Sequence, residues 1–540
     1  MKDKLFINGR IYSMDKEGEL FNAMHVKNGR IHKMFSSSTD AMVESGRYEI
    51  VNLQGKTVIP GMIDTHAHFV MTVASVAMGE RVSEVTSTGL VPTDLKGVQE
   101  KLIAVAGKKN KNQPLLFYNY VIPSIAETRL PEKAEIDRWL PGRIVIIISM
   151  DGHSSSYSTL ALKAIGLEDP YGNGILTGEA HEFNMGRVNS YVQSKLSPWM
   201  LLKGLIAVTN DAAAHGLTSI HCLDGFDDDP KDMTIWFITR IASVLPLRLR
   251  TYIQYLDPKK IGRHLKYLKM GRIGGCAAWE MDGSVSSQTA AFYDEYRSKP
   301  GYTGECYYTA EKVESLVERA HDAGFQITSH ALGPRAIETL LSSYEKVLAK
   351  KGDKENRRRH RIDHFEFPTD DQVKRAVASG ILLAVQPGFS WFDEKYQKGY
   401  RKFLSDKVFE MQVPLKKVVS LGGMLLGGSD SPVQHFNPFL QIQGMVSFPL
   451  PEQRLSVYEA LRTYTCNAAY STFEENERGT LKEGKIADFA VLDKNPFEIE
   501  TEEIQTVKVL DTYMNGQVCK PITSPWSLVL KALLGRRSKA

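Results

Sequence analysis

The chain has 540 residues, 42% of them hydrophobic and 24% charged, which are proportions of a globular protein with a large core. Its 67 basic and 63 acidic residues leave a net charge of +4, which excludes charge-driven binding to nucleic acid or membranes. No signal peptide or membrane-spanning apolar run occurs, so we expect a cytoplasmic protein without an integral membrane segment. The five cysteines are scattered without a Cys-x-x-Cys pair and are expected to be reduced thiols.

Short β-prone segments occupy the first sixty residues, and Asn8-Gly9 and Asn28-Gly29 separate them. Asn-Gly between such segments is the strongest local indication of a hairpin, because both turn positions need a positive φ. The same pattern returns near the other end, where Asn515-Gly516 follows a predicted strand. We therefore predict one β-sandwich whose first half is residues 1–60 and whose second half is residues 471–520.

Residues 61–470 alternate predicted strands with predicted helices. One helix is predicted over residues 311–323, where Val313, Leu316 and Ala320 follow the 3.6-residue period. The strand candidates in and beside this segment are residues 58–63, 115–121, 143–149, 217–222, 247–255, 275–281, 326–330, 361–365, 381–386 and 424–428. Such alternation predicts an α/β fold, specifically a (β/α)₈ TIM-like barrel with insertions. The β-sandwich formed by the two ends of the chain is predicted in addition to this barrel.

Residues 521–540 form a C-terminal tail that is predicted to be a helix. Its apolar part contains Trp526 and Leu528, and its end is basic. A helix docked on the protein is one interpretation. Weak contact with a membrane surface is the other.

Side chains that commonly bind metals recur at the predicted ends of strands in the barrel segment. His66 and His68 form a His-x-His pair directly after a strand, where residues two apart share one face. His330, His364 and Asp430 each lie at or near the end of a later strand. Because the C-terminal strand ends of a barrel meet, these five side chains are predicted to form a divalent metal site. Taken singly, each has an alternative role as a core histidine or a helix-capping aspartate.

These residues lie in motifs that resemble those of the amidohydrolase superfamily. The matching segments are residues 60–68, 330–333, 363–364, 428–433, 467–469 and 484–489. Gly152-His153-Ser154 and Asp282-Gly283-Ser284 resemble the amidohydrolase-3 branch, which includes N-substituted formamide deformylases and YtcJ-like metal-dependent hydrolases. The resemblance covers roughly residues 4 to 519.

The resemblance implies a catalytic barrel that binds one or two divalent metal ions, usually zinc, with manganese or iron as alternatives. His66 and His68 would hold the more buried ion, and His330 and His364 would hold the second. Asp430 would bind metal and transfer protons. Family members are often dimers, so a homodimer is expected.

The chain departs from the family at the position of a lysine whose carbamate bridges the two metals in relatives. That lysine precedes the Asp-Gly pair by four residues, and the corresponding residue here is Ala278. We expect Glu280, which shares a face with Ala278 in a regular strand, to supply the bridging or anchoring carboxylate. The alternative is that Glu280 binds no metal and the site holds a single ion.

The expected reaction is hydrolysis of a carbon–nitrogen bond, other than a peptide bond, in a small-molecule substrate. Metal-activated water would attack the carbonyl carbon, and Asp430 would act first as general base and then as general acid. His153 and His364 would donate hydrogen bonds to the carbonyl oxygen. Four further residues are predicted to contact the substrate: Trp279, His181, Phe389 and Trp391.

Two other functions remain open from the sequence alone. A deaminase, or another hydrolase of a cyclic carbon–nitrogen bond, would use the same metal site. Alternatively, the missing lysine marks a metal-poor barrel that acts as a binding or regulatory protein.

Overall fold

A computed structural model describes residues 3–43, 48–87, 89–226, 234–235, 238, 241–242, 244–268 and 270–534. Both ends of the chain contribute strands to β-sheets. A four-stranded sheet contains β1 (Lys4–Ile7), β4 (Ala23–Lys27), β5 (Arg30–Phe35) and β6 (Glu49–Asn52). A six-stranded sheet contains β2 (Arg10–Tyr12), β3 (Leu20–Phe21), β7 (Thr57–Pro60), β23 (Phe489–Leu492), β24 (Val509–Met514) and β25 (Gln517–Val518).

The six-stranded sheet joins the two ends of the chain because β7 and β23 pair in antiparallel fashion. Aromatic rings pack against this sheet from the four-stranded one. Phe6 lies edge-on to Phe489 and to Tyr513, with ring centroids 5.0 and 5.3 Å apart. These contacts bury the apolar faces of both sheets against each other.

Eight parallel strands form the barrel, in an order that follows the chain. They are β8 (Met62–Ala67), β16 (Leu217–Asp224), β17 (Arg248–Ile253), β18 (Arg272–Glu280), β19 (Gln326–Ala331), β20 (Arg361–His364), β21 (Leu382–Val385) and β22 (Leu425–Gly427). The ring closes between β8 and β22. There the Asp430 amide donates to the His66 carbonyl at 2.7 Å, and the Thr65 hydroxyl donates to the Gly427 carbonyl at 2.9 Å. The predicted fold class is confirmed, whereas the predicted domain boundaries stay predictions.

Two of the strand candidates, residues 115–121 and 143–149, lie outside the barrel. They form β12 (Leu115–Tyr120) and β13 (Val145–Ser149) in a separate sheet with β9 (Gly79–Arg81), β14 (Ser154–Tyr157) and β15 (Ile175–Thr177). This sheet is inserted between β8 and β16, together with the hairpin of β10 (Glu84–Thr86) and β11 (Gly89–Val91). The candidate 58–63 is divided as well, because its first part lies in β7 and its second in β8.

Helices cover the strands on the outside. In chain order they are α1 (Ser38–Val43), α2 (Phe69–Met78), α3 (Leu95–Ala106), α4 (Lys133–Trp139), α5 (Thr159–Ile165), α6 (Glu179–Glu182), α7 (Met185–Lys195), α8 (Pro198–Ala214), α9 (Pro258–Gly262), α10 (Ala310–Asp322), α11 (Pro334–Lys350), α12 (Asp370–Ala378), α13 (Gly388–Phe392), α14 (Gly399–Phe403), α15 (Asp406–Phe409), α16 (Leu415–Ser420), α17 (Pro438–Val446), α18 (Val457–Thr463), α19 (Cys466–Ser471) and α20 (Pro525–Leu534). Helix α10 confirms the predicted helix 311–323 to within one residue at each end. Thr309 caps it by accepting from the Lys312 amide, and Val313, Leu316 and Ala320 are buried.

The predicted C-terminal helix is present as α20. Leu528 is buried and belongs to the main core cluster, so the helix is docked on the protein. Trp526, on the exposed side, lies with its ring centroid 6.1 Å from that of Trp199. The basic residues at 536–539 lie outside the described residues. Within the described part of the chain, no helix has the length and apolar character needed to cross a membrane.

Candidate metal centre and active site

The C-terminal ends of four barrel strands, and the turn after a fifth, bring potential metal ligands together on the barrel axis. The residues are His66 and His68 from β8, Cys276 from β18, His330 from β19, His364 from β20, and Asp430 after β22. All six are buried, with His68 and Cys276 the most exposed at 8% and 7%. The five predicted ligands therefore converge, and Cys276 joins them.

Both histidines of β8 use one ring nitrogen to fix their orientation. His66 Nδ1 lies 3.0 Å from Asp363 Oδ2, and His68 Nδ1 lies 2.8 Å from the Leu223 carbonyl oxygen. With a proton on each Nδ1 to satisfy these acceptors, each Nε2 could offer its lone pair to a metal ion. Without an ion, the carboxylates of Asp430 and Asp363 outweigh the effect of burial and raise the pKa of His66 to about 9. Each Nε2 lies 3.2 Å from Asp430 Oδ1. Three donor atoms thus point toward one small volume.

Asp363 is held in turn by Arg361, whose Nε and Nη2 lie 2.9 and 2.8 Å from Asp363 Oδ1. Both side chains are fully buried. Burial opposes ionisation of Asp363, but the Arg361 and His66 charges outweigh it and hold its pKa well below the usual range. Asp363 is therefore a carboxylate at neutral pH and can support His66 as a metal ligand.

We expect Asp363→Asn to lower metal affinity by about 10–100-fold, the usual cost of losing a carboxylate behind a ligating histidine. Competition with a chromophoric chelator measures the affinity. Asp371→Asn, a change at a side chain that is 73% exposed on α12, serves as the control and should leave the affinity unchanged. Equal affinities in the Asp363 variant and the unmodified protein would contradict this support role.

His330 and His364, the second pair of histidines, have buried ring nitrogen atoms without hydrogen-bond partners among the described residues. His330 Nε2 lies 3.2 Å from the Gly283 carbonyl oxygen. Within the described residues, His330 Nδ1 and both ring nitrogens of His364 have no hydrogen-bond partner. Leaving such an atom buried and unpaired costs about 1–3 kcal/mol. A metal ion would satisfy these lone pairs.

The surroundings of His330 and His364 also favour their neutral forms. Burial, reinforced by the neighbouring imidazoles of His66 and His153, lowers the pKa of His364 to about 3. Burial, with the charge of His364, lowers the pKa of His330 well below its usual value. Both rings are therefore neutral at pH 7, the state that metal binding requires. His364 and Asp430 also have positive φ angles, of 70° and 57°, and such strain is concentrated at functional sites.

Cys276 enters the site through an irregularity in β18. Gly275 pairs with Ser329, but the next paired residue is Glu280, opposite His330, so four residues bulge from the strand. Cys276 Sγ lies 3.6 Å from His66 Nε2. Cys276 was not predicted from the sequence, because a regular strand would not place it at the site. The preceding Gly274-Gly275 pair is the local indication of a bulge that could have identified it.

Glu280 lies on another side of the site, beside two polar side chains. It hydrogen-bonds Glu182, and Glu280 Oε2 lies 4.0 Å from His153 Nδ1. His153 Nδ1 is 2.8 Å from Glu182 Oε1. Burial raises the pKa of Glu182 to about 8, and burial with the Glu182 charge raises that of Glu280 well above its usual range. Glu182 was not among the residues predicted from the sequence.

The four predicted substrate residues are divided between cavity walls and core. Phe389 lines a cavity beside His364, with ring centroids 6.5 Å apart, and Trp391 lines a more peripheral cavity. Trp279 is fully buried, and its indole donates to the Tyr255 carbonyl at 2.9 Å. His181 uses both ring nitrogens, toward Ser155 Oγ at 2.8 Å and the Gly152 carbonyl at 2.6 Å. Trp279 and His181 are therefore not among the residues that line these cavities.

Two neighbouring cavities share part of their lining, and the inner one reaches the candidate metal ligands. The inner cavity is lined by His68, His153, His364, Cys276 and Asp430, and by apolar side chains. The outer cavity, of about 480 Å³, shares Asn119, Met150 and Val433 with it and includes Trp391. None of the described residues lining the inner cavity is a lysine or arginine.

The donor set fits a divalent transition-metal ion. At tetrahedral angles, bonds of about 2.0–2.1 Å to nitrogen and 2.3 Å to sulfur place those two atoms about 3.6 Å apart. The observed separation of Cys276 Sγ and His66 Nε2 is 3.6 Å. Nitrogen and oxygen ligands would be about 3.4 Å apart, close to the 3.2 Å between Asp430 Oδ1 and either Nε2.

Comparison with known proteins identifies the family of this chain. Residues 49–519 match the model of the amidohydrolase family. The chain belongs to this family. It is therefore a hydrolase that acts on carbon–nitrogen bonds, and the family implies that it uses a divalent metal.

Full-length relatives have diverse names. Protein LONG AFTER FAR-RED 3 of Arabidopsis thaliana is 28% identical over 96% of this chain and 92% of its own length. Putative amidohydrolase YtcJ of Bacillus subtilis is 25% identical over 94% and 98%. N-substituted formamide deformylase of Arthrobacter pascens is 24% identical over 96% and 98%.

Solved structures share the fold of this family member. A metal-dependent hydrolase of Pyrococcus furiosus has a TM-score of 0.69 and 21% identity, covering 92% of this chain and 100% of that one. At this level of identity the likeness extends to the fold alone.

Proposed function

We propose that this amidohydrolase hydrolyses the amide bond of a neutral, N-substituted small molecule at the site formed by His66, His68, His330, His364 and Asp430. The observation that carries the proposal is the position of Asp430. Its carboxylate contacts both Nε2 atoms of the β8 histidines and lines the inner cavity where a substrate carbonyl has room. Zinc is the proposed ion.

His66, His68, His330, His364 and Asp430 would hold a divalent ion, which would lower the pKa of water toward about 7 and polarise a nearby carbonyl. The chain itself must then accept a proton from the water and deliver it to the leaving nitrogen. Asp430 is suited to accepting it. Burial would raise its pKa, but His66 and His68 outweigh this effect and lower the pKa well below the usual range. Asp430 is thus an ionised base that becomes the acid once protonated.

His153 is the proposed donor to the carbonyl oxygen as negative charge develops. Because the pKa of Glu182 is raised to about 8, its carboxyl holds a proton at neutral pH. That carboxyl can donate to His153 Nδ1, 2.8 Å away. A neutral imidazole that accepts at Nδ1 carries its own proton on Nε2, which makes Nε2 the hydrogen-bond donor. His364 is the second proposed donor, through whichever ring nitrogen does not bind metal.

The inner cavity favours a substrate without negative charge. Its polar lining includes the acidic side chains Asp151, Glu182 and Glu280, whereas Met71, Ile148 and Phe226 supply apolar surface. A substrate carboxylate there would be buried without a cationic partner, which costs several kcal/mol. An alkyl or aryl substituent on the amide nitrogen would instead contact the apolar surface. The similarity to an N-substituted formamide deformylase supports formamides as the first compounds to assay.

We expect neutral N-aryl and N-alkyl formamides to be hydrolysed with a kcat/KM at least about tenfold higher than that of matched compounds carrying a carboxylate on the substituent. Amine and formate release would be measured for each pair with the zinc-loaded enzyme. A preference for the carboxylate-bearing member of each pair would overturn the proposed substrate class. Ammonia release from heterocycles, without turnover of any amide, would favour a deaminase instead.

A further inference from the structure

The bulge in β18 directs one side chain to the centre of the histidine cluster. Gly274 and Gly275 have φ angles of 102° and 132°, and Ala277 has a φ of 53°. A Cβ at Gly274 would lie 1.9 Å from the Thr328 carbonyl oxygen, so the strand approaches its neighbour too closely for a side chain there. The Cys276 amide donates to Gln254 Oε1 at 2.7 Å, which fixes the residue that follows the glycines.

The sulfur of Cys276 is close to both pairs of histidines. Its Sγ lies within 4.8 Å of donor atoms of His66 and His68, and also within 4.8 Å of donor atoms of His330 and His364. Cys276 is 7% exposed. His330 and His364, which share a cluster with the sulfur, carry buried nitrogen atoms without partners, and this is a second, independent indication of a bound ligand.

We propose that Cys276 is a metal ligand shared by two ion positions, where its thiolate takes the role of the carbamylated lysine that relatives have. This inference rests on the proposed metal site. On metal binding the thiol proton is released to solvent, and no bond within the chain is broken. A thiolate beside neutral imidazoles selects zinc over manganese or magnesium. Because no carbamate is needed, loading with metal is independent of bicarbonate.

Glu280 is less well placed for this role. Its carboxylate shares a cluster with His153 and His330, but that cluster contains neither His66 nor His68. Glu280 also hydrogen-bonds Glu182, so its carboxyl group already has a partner outside the histidine cluster. Cys276, in contrast, shares one cluster with His66 and His68 and another with His330 and His364.

Cobalt substitution distinguishes the two candidates, because a thiolate bound to Co²⁺ gives an intense sulfur-to-metal charge-transfer band in the near ultraviolet. The full-length protein would be stripped of metal and titrated with Co²⁺ and Zn²⁺, with and without bicarbonate. Metal content would be measured in parallel. The variants are Cys276→Ala and Glu280→Gln. Cys222→Ala, a change at another fully buried barrel cysteine, is the matched control for loss of a buried thiol.

We expect the unmodified protein, Glu280→Gln and Cys222→Ala to show the band and to bind two ions without bicarbonate. Cys276→Ala should lose the band and bind the second ion more weakly by over 100-fold. This loss exceeds the roughly 10–100-fold loss of affinity expected for a residue that only hydrogen-bonds a metal ligand. If the unmodified protein binds two Co²⁺ ions without showing the band, Cys276 is not a metal ligand, although the proposed metal site stands. This result does not depend on whether the Cys276→Ala variant folds. No bound metal in the unmodified protein would overturn both this inference and the proposed metal site.

Discussion

Asp430→Asn is expected to lower kcat by about 10²–10⁴-fold, the usual contribution of a positioned general base. The amide keeps the shape of the carboxylate and can still occupy the space beside His66 and His68. It cannot accept the water's proton, and it has none to pass to the leaving nitrogen. Single-turnover and steady-state assays with a neutral formamide measure the loss.

The pH profile separates the role of Asp430 as base from its role as ligand. In the unmodified protein, activity should fall at low pH as Asp430 and the histidines take up protons. In Asp430→Asn, the residual activity should no longer change with pH over the range in which Asp430 takes up its proton. Metal content must be measured alongside, since Asp430 Oδ1 lies 3.2 Å from both Nε2 atoms. Near-normal kcat in a metal-loaded Asp430→Asn protein would refute the proposed proton transfer.

Removing the metal is expected to reduce turnover by more than about 10³-fold, because the water would then lack the ion that lowers its pKa. It should also lower Tm. An ion present at 1,000 times its Kd stabilises the folded protein by about 4 kcal/mol, and stripping removes this contribution. Readdition of Zn²⁺ should restore both properties. Activity and Tm that survive exhaustive chelation, confirmed by metal analysis, would favour the metal-poor binding protein.

The sequence was a good guide to which side chains end the barrel strands. His66, His68, His330, His364 and Asp430 were selected because parallel strands in a barrel place their C-terminal ends together. In the structure their donor atoms do converge. Local spacing was sufficient here because each residue lies near the C-terminal end of a buried strand or just after it.

The sequence did not predict which strands pair with each other or where a strand is irregular. Residues 115–121 and 143–149 have strand sequences, but strand propensity does not specify the sheet that a strand joins. Counting along β18 as a regular strand selected Ala278 and Glu280, whereas the bulge brings Cys276 to the centre. The orientation of Trp279 toward the core depends on the same bulge.

The position of the bound metal tests the central claim most directly. Anomalous diffraction at the zinc edge, from crystals of the reconstituted protein, would locate each ion. We expect one or two peaks on the barrel axis, within about 2.0–2.3 Å of donor atoms of His66, His68, His330, His364 and Asp430. Absence of a peak there, or a peak only at the surface cluster of Asp211, His215 and His435, would contradict the account.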